Sequence, residues 1–156
     1  MIPEVGSPAP QFSLTHKVGE PPVGTASYPG EPLVVLFYPL AFSPVCTDEL
    51  CAVVDDWDRW SGLDARVVGI SVDSPWVNVR FGDEYGVPFP LLSDFNKDVA
   101  RAYGVLNEDY WGMRGVSDRA AFVIDGDGRI AYAWHTPDDS ILPDFDAVAA
   151  VVQSLR

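Results

Sequence analysis

The stretch Leu33-Val34-Val35-Leu36-Phe37-Tyr38-Pro39-Leu40-Ala41-Phe42-Ser43-Pro44-Val45-Cys46 decides the fold. Its apolar run, Leu33 to Tyr38, reads as a strand buried on both faces. A turn bounded by Pro39 and Pro44 follows. From about Val45 to Ser61 the apolar residues Leu50, Val53, Val54, Trp57 and Trp60 recur at helical spacing, with Gly62 as a stop. Cys46 therefore falls where a helix begins. Unpaired backbone N–H groups and the helix dipole both favour negative charge there, so a thiol at that place ionises readily.

Toward the N-terminus, residues 6–14 carry prolines and read as a short edge strand, and residues 15–32 as loop or irregular hairpin. Toward the C-terminus, Val67 to Asp73 is a second buried strand. Ser74-Pro75 then caps a helix that runs to about Tyr85. Phe89 to Asp94 reads as a short strand, Lys97 to Tyr103 as a helix. Ala120–Ile124 and Arg129–Trp134 flank the turn Asp125-Gly126-Asp127-Gly128, and Phe145 to Leu155 closes the chain as a helix. The order β-α-β-α-β-α-β-β-α predicts an α/β protein with a central mixed sheet covered by helices on both faces. It fits a thioredoxin-like fold with an N-terminal extension. No linker, repeat or low-complexity segment is visible, so residues 1–156 are expected to form a single domain.

The net charge of −13 rests largely on Asp, against only two lysines, Lys17 and Lys97. Phosphate backbones would be repelled, which argues against nucleic acid as a partner. Such a halophilic-type acidic composition suits a salty cytosol, where the Debye length falls to about 3 Å near 1 M salt. No apolar stretch reaches the roughly 18 residues of a membrane span. The start, Met1-Ile2-Pro3-Glu4-Val5, has neither the basic region nor the apolar core of a signal peptide. No membrane association and a cytoplasmic location are expected. Two cysteines in such a compartment point to reactive thiols rather than structural disulfides. Zinc is not expected, because only His16 and His135 could join Cys46 and Cys51, and neither has a paired ligand spacing.

Pro39, Ser43 and Cys46 form the pattern Pro-x-x-x-Thr/Ser-x-x-Cys, and Arg119-Ala120-Ala121-Phe122-Val123-Ile124-Asp125 has the form Arg-x-x-Phe-Val-Ile-Asp. At both places the chain resembles the peroxiredoxins. The resemblance implies a cofactor-free, metal-free thiol peroxidase that reduces hydrogen peroxide and small organic hydroperoxides. In it Cys46 is the nucleophile, the Ser43 hydroxyl bridges thiolate and peroxide oxygens, and Pro39 shields the site. Ser43 stands where Thr is more usual, which loses a methyl group and keeps the donor. Arg119 points at the thiolate, and a fixed guanidinium lowers a thiol pKa and donates to developing charge. Glu49 matches the family's Cys-x-x-Glu and orients Arg119 by an ion pair. Taken singly, Ser43 also reads as a turn or cap hydroxyl, Arg119 as a surface residue, and Glu49 as a solvated first-turn carboxylate.

Cys51 lies five residues after Cys46, which on an α-helix separates the Cα atoms by roughly 8–9 Å. A disulfide needs less than about 7 Å, so bonding requires the helix to unwind. The spacing Cys46-Thr47-Asp48-Glu49-Leu50-Cys51 is similar to that of the bacterioferritin-comigratory, Q-type peroxiredoxins. There a cysteine at this offset resolves the sulfenic acid as an intramolecular disulfide. Phe37 to Phe42, Pro90 to Phe95 and Tyr103 to Glu108 instead resemble the one-cysteine AhpE-like members, in which an external thiol resolves the intermediate. Cys51 as a helix-face residue without redox role stays open beside these. The expected partners are a peroxide and a thioredoxin-like or other thiol reductant, with the chain a monomer or homodimer. A thiol-disulfide oxidoreductase would want Cys-x-x-Cys, and a redox sensor without turnover would react slowly with peroxide; both are alternatives on this fold.

Overall fold

The computed structural model describes residues 1–155. The backbone of Cys46 belongs to the described part and its side chain lies outside it. The elements run β1 (Ser13–Leu14), β2 (Val23–Gly24), β3 (Leu33–Phe37), α1 (Pro44–Asp55), α2 (Trp57–Ser61), β4 (Arg66–Ser71), α3 (Pro75–Tyr85), β5 (Leu91–Ser93), α4 (Asp98–Ala102), β6 (Leu106–Asn107), β7 (Val116–Ser117), β8 (Arg119–Ile124), β9 (Ile130–Thr136) and α5 (Phe145–Ser154). The main sheet has five strands in the order β5-β4-β3-β8-β9. β3, β4 and β5 pair in parallel, while β8 runs antiparallel to both β3 and β9.

β3 alternates between two cores, as the two-residue period of a strand requires. Val34, Leu36 and the following Tyr38 face Leu50, Val53 and Trp60 of the α1–α2 segment and Val148, Ala149 and Val152 of α5. Leu33, Val35 and Phe37 face Val99, Ala100 and Tyr103, around α4, with Phe12 from the N-terminal segment. Helices on both faces explain why all five residues of β3 are buried.

Two segments depart from the sequence reading. The single helix expected over 45–61 is two, with Asp56 between them at φ −104° and ψ 21°. The break lets Trp57 meet the Phe89 ring at 5.6 Å while Trp60 meets Phe145 at 5.9 Å. Asp55-Asp56 also favours local turn conformations over helix interior. The second departure is the hairpin β6–β7, whose two-residue strands are too short to leave a period.

The registers align the sheet's functional edge. Phe37 pairs with Ile70 on β4 and with Ala120 on β8, so the β3 exit into Pro39, the β4 exit into Asp73 and the β8 entry at Arg119 share one end of the sheet. Gly69 allows the close packing beneath that end. A Cβ there would lie 2.6 Å from Leu91 Cδ2 and 3.2 Å from Tyr38 Cε1. Gly69→Ala is expected to lower stability by about 1–3 kcal/mol, the usual cost of overpacking. Urea unfolding checks this, and an unchanged midpoint would show that Leu91 and Tyr38 yield freely.

Candidate active site

β3 leaves the sheet at Tyr38, whose carbonyl accepts the Ser117 hydroxyl at 2.9 Å. Pro39 follows and is buried. The chain then turns through Phe42, held at φ 67°, and enters α1 from Ser43. The Ser43 side chain makes no cap bond to the helix; its hydroxyl donates back to the Leu40 carbonyl at 3.0 Å. The Ser43 oxygen keeps its capacity to accept. Cys46 is the third residue of α1, within the first turn, where backbone N–H groups lack intrahelical acceptors.

The turn is pinned from the next strand. Asp73, just past β4, accepts the Ala41 N–H at 2.7 Å and the Ser71 hydroxyl at 2.7 Å on Oδ2. Asn78 of α3 accepts the Tyr38 phenol at 2.7 Å and donates to the Leu92 carbonyl at 3.2 Å. The Ser71 oxygen lies 3.1 Å from Asn78 Oδ1, which joins these contacts into one network. Burial raises the Asp73 carboxyl, while its hydrogen bonds from Ala41 and Ser71 favour the charged form. The sequence reading ran the buried strand on to Asp73, before the Ser74-Pro75 helix start, whereas β4 ends at Ser71 and leaves Asp73 free to turn toward Ala41. An acidic residue directly at a buried strand's exit was the available sign of Asp73.

Arg119 opens β8 and is fully buried together with Glu49 of α1. Its Nη1 donates to Glu49 Oε2 at 2.6 Å. Nη2 donates to the Asp139 carbonyl at 3.0 Å. Two directions of the guanidinium are thus fixed, one from a helix and one from a loop. Glu49 Oε1 has no hydrogen-bond partner among the described residues. Cys51, further along α1, is a half-buried free cysteine. Burial and the charges of Asp55 and Asp48 push its thiol up. So Glu49 and Arg119 touch, Pro39 and Ser43 form the turn before α1, and both cysteines sit on α1 itself. No group of three or more His, Cys, Asp and Glu among the described residues could hold a metal ion. Nor is any helix of the described residues long and apolar enough to cross a membrane.

A mixed sheet whose central strand delivers a cysteine to a helix start is the architecture of thiol enzymes with the thioredoxin-like fold. Within that class, the chain matches the AhpC/TSA family over residues 5–133 and belongs to it, as a peroxiredoxin and hence a thiol-dependent peroxidase. It is 32% identical to Peroxiredoxin Bcp of Bacillus subtilis (strain 168) over 100% of this chain and 97% of that one. It is 33% identical to the chloroplastic Peroxiredoxin Q of Sedum lineare, over 97% and 78% of the two chains. The crystal structure of Peroxidoxin BcpB from Mycobacterium tuberculosis superposes with a TM-score of 0.82 at 28% identity, covering 97% of each chain.

Burial pushes the Glu49 carboxyl from 4.5 up to about 7, against the pull of the Arg119 charge and hydrogen bond. The native state then holds this proton more tightly than the unfolded chain does. The contribution of Glu49 to stability is therefore largest below about pH 4.5 and is lost as pH rises through about 7. Unfolding free energies measured against pH for wild type and Glu49→Gln should show the wild type losing ground across that window. Parallel curves would contradict the assignment.

Proposed function

We propose that Cys46 is the peroxidatic thiol, acting with Pro39, Ser43, Glu49 and Arg119, and that Cys51 resolves it. The Cys46 thiolate attacks one oxygen of hydrogen peroxide or a small organic hydroperoxide. The O–O bond breaks, the second oxygen leaves as alkoxide or hydroxide and takes up a proton, and Cys46 becomes a sulfenic acid. Ser43 Oγ accepts the peroxide O–H, and Arg119 stabilises both the thiolate and the departing oxygen. The observation that carries this reading is the Arg119–Glu49 contact at 2.6 Å. Glu49 stands three residues after Cys46 on α1, at the spacing of neighbours on one helix face.

Resolution follows when the Cys51 sulfur attacks the sulfenic sulfur, a disulfide forms and water leaves. A thioredoxin-like dithiol then reduces the disulfide. Helical spacing holds the two cysteines about 8–9 Å apart at Cα, so α1 opens before they join. While α1 is intact, burial together with Asp55 and Asp48 keeps the Cys51 thiol protonated, which leaves the first attack to Cys46. The second reading is a one-cysteine cycle resolved by an external thiol, favoured by the continuity of α1 from Pro44 to Asp55.

Intact mass after one equivalent of hydrogen peroxide separates the readings. Loss of about 2 Da in the monomer marks the Cys46–Cys51 disulfide, and gain of about 16 Da marks a sulfenic acid with Cys51 idle. Cys46→Ser is expected to abolish peroxide consumption, whereas Cys51→Ser keeps the first oxidation. Equal loss of that first step in both variants would overturn the roles, and an unreactive wild type would overturn the mechanism.

A further inference from the structure

Asp139 lies beyond residues 5–133, the part of the chain matched to the family, yet it touches the buried arginine. It sits in the loop between β9 and α5. Asp138 braces that loop: its Oδ1 accepts the Ser140 N–H at 3.0 Å and the Ser140 hydroxyl at 2.6 Å. The brace presents the Asp139 carbonyl to Arg119 Nη2 at 3.0 Å. The Asp139 carboxylate turns the other way. Its Oδ2 accepts the Tyr110 phenol at 2.7 Å and faces the Trp111 indole N–H at 3.4 Å.

Those aromatics form the tip of the β6–β7 hairpin. Tyr110 and Met113 exchange both backbone hydrogen bonds at 2.9 Å, and Trp111 and Gly112 turn the chain at φ 53° and 82°. Trp111 is 81% exposed, while Tyr110 beside it is half-buried. Two side-chain contacts, from the Tyr110 phenol and the Trp111 indole, run from the tip to Asp139. The same hairpin ends at Ser117, two residues before Arg119, and Ser117 bonds the Tyr38 carbonyl. Asp139 thus joins three segments around one guanidinium: the post-β9 loop, the aromatic turn and the start of β8.

We propose that Asp139 is a positioning residue for Arg119, its carboxylate clamping the Tyr110–Trp111 turn so that its own carbonyl fixes the guanidinium plane against Glu49. This rests on the role given to Arg119 above. Without the carboxylate, the loop and the hairpin part, the carbonyl shifts, and the guanidinium loses the support that holds its plane against Glu49. The cost falls on thiolate formation and peroxide cleavage.

The test uses a Cys51→Ser background, in which Cys46 is the only thiol of the chain. Two readouts serve: the pH profile of iodoacetamide alkylation and the stopped-flow rate of oxidation by hydrogen peroxide. Asp139→Ala is expected to move the alkylation profile to higher pH and to slow oxidation by about tenfold, the equivalent of one lost hydrogen bond. Tyr110→Phe, which removes a single hydroxyl, moves both the same way to a smaller extent. Asp139→Asn, which keeps an acceptor oxygen, recovers most of the rate. Should Asp139→Ala fail to fold, Tyr110→Phe decides alone. If Arg119→Lys shifts the profile while Asp139→Ala and Tyr110→Phe leave it in place, the positioning role is wrong and the peroxidase mechanism stands. A background protein whose Cys46 does not react with peroxide would instead overturn the mechanism.

Discussion

The buried pair between Arg119 and Glu49 is the constraint from which the rest of the site follows. Neither side chain is exposed, so each is the other's main compensation for leaving water. Removing one partner of such a pair typically costs about 3–5 kcal/mol, because the other is left buried alone. One member opens β8 and the other sits on α1, so the pair fixes how the cysteine-bearing helix lies against the sheet. It also bears on turnover. The segment that must open for a Cys46–Cys51 disulfide contains Glu49, so on the two-cysteine reading resolution has to part the carboxylate from the arginine. On that reading, the interaction that prepares the first chemical step opposes the second. A Glu49 carboxyl held near neutral pH by burial weakens that opposition, since its proton removes the charge Arg119 was matched to.

What makes the pair useful is the rigidity of the turn that precedes α1. A Pro-bounded loop with Phe42 in the left-handed region would otherwise have several conformations available. Here it is held at both ends. Ser117 ties the Tyr38 carbonyl, and Asp73 takes the Ala41 N–H. One tether comes from β7 and the other from just past β4, and the Tyr38 phenol anchors the same segment to Asn78 on α3. The backbone of the turn is thereby tied to the segments that flank the sheet's end. On the two-cysteine reading, α1 opens from a turn that stays tied to Ser117 and Asp73.

Much of this was legible in the sequence, and the parts that were not share a cause. The run Leu33 to Tyr38 declared a strand buried on both faces, and Ser74-Pro75 declared a helix start, where Ser74 does accept the Val77 N–H. The turn at Asp125-Gly126-Asp127-Gly128 joined β8 to β9 as its glycines required. In each case the signal lies within a few consecutive residues. The contact between Glu49 and Arg119 spans 70 residues and was accessible only through the family resemblance that their two separate motifs carry. Asp73 reaching Ala41, 32 residues back, and Asp139 reaching Tyr110, 29 residues back, belong to no pattern of spacing. The break at Asp56 was hidden because Trp57 and Trp60 keep helical spacing on either reading. Only their separate partners, Phe89 and Phe145, demand two helices.

The acidic surface gives the buried arginine a further reason to exist. A net charge of −13 creates a negative field that disfavours any thiolate the protein forms. Much of the small basic complement is engaged at the surface, as in Arg59 with Asp146, Arg66 with Glu31 and Arg101 with Asp98. Exposed pairs of this kind contribute little and are screened by salt. Arg119 differs because it lies inside the protein, where ions do not reach and each charge interaction is stronger. Peroxide substrates are uncharged near neutral pH, so the surface field does not exclude them. The nucleophile that meets them carries the negative charge. On the proposed mechanism, an opposing charge placed locally and kept out of solvent adds to the helix start in supporting the thiolate of so acidic a chain, and β8 and α1 together bury that charge.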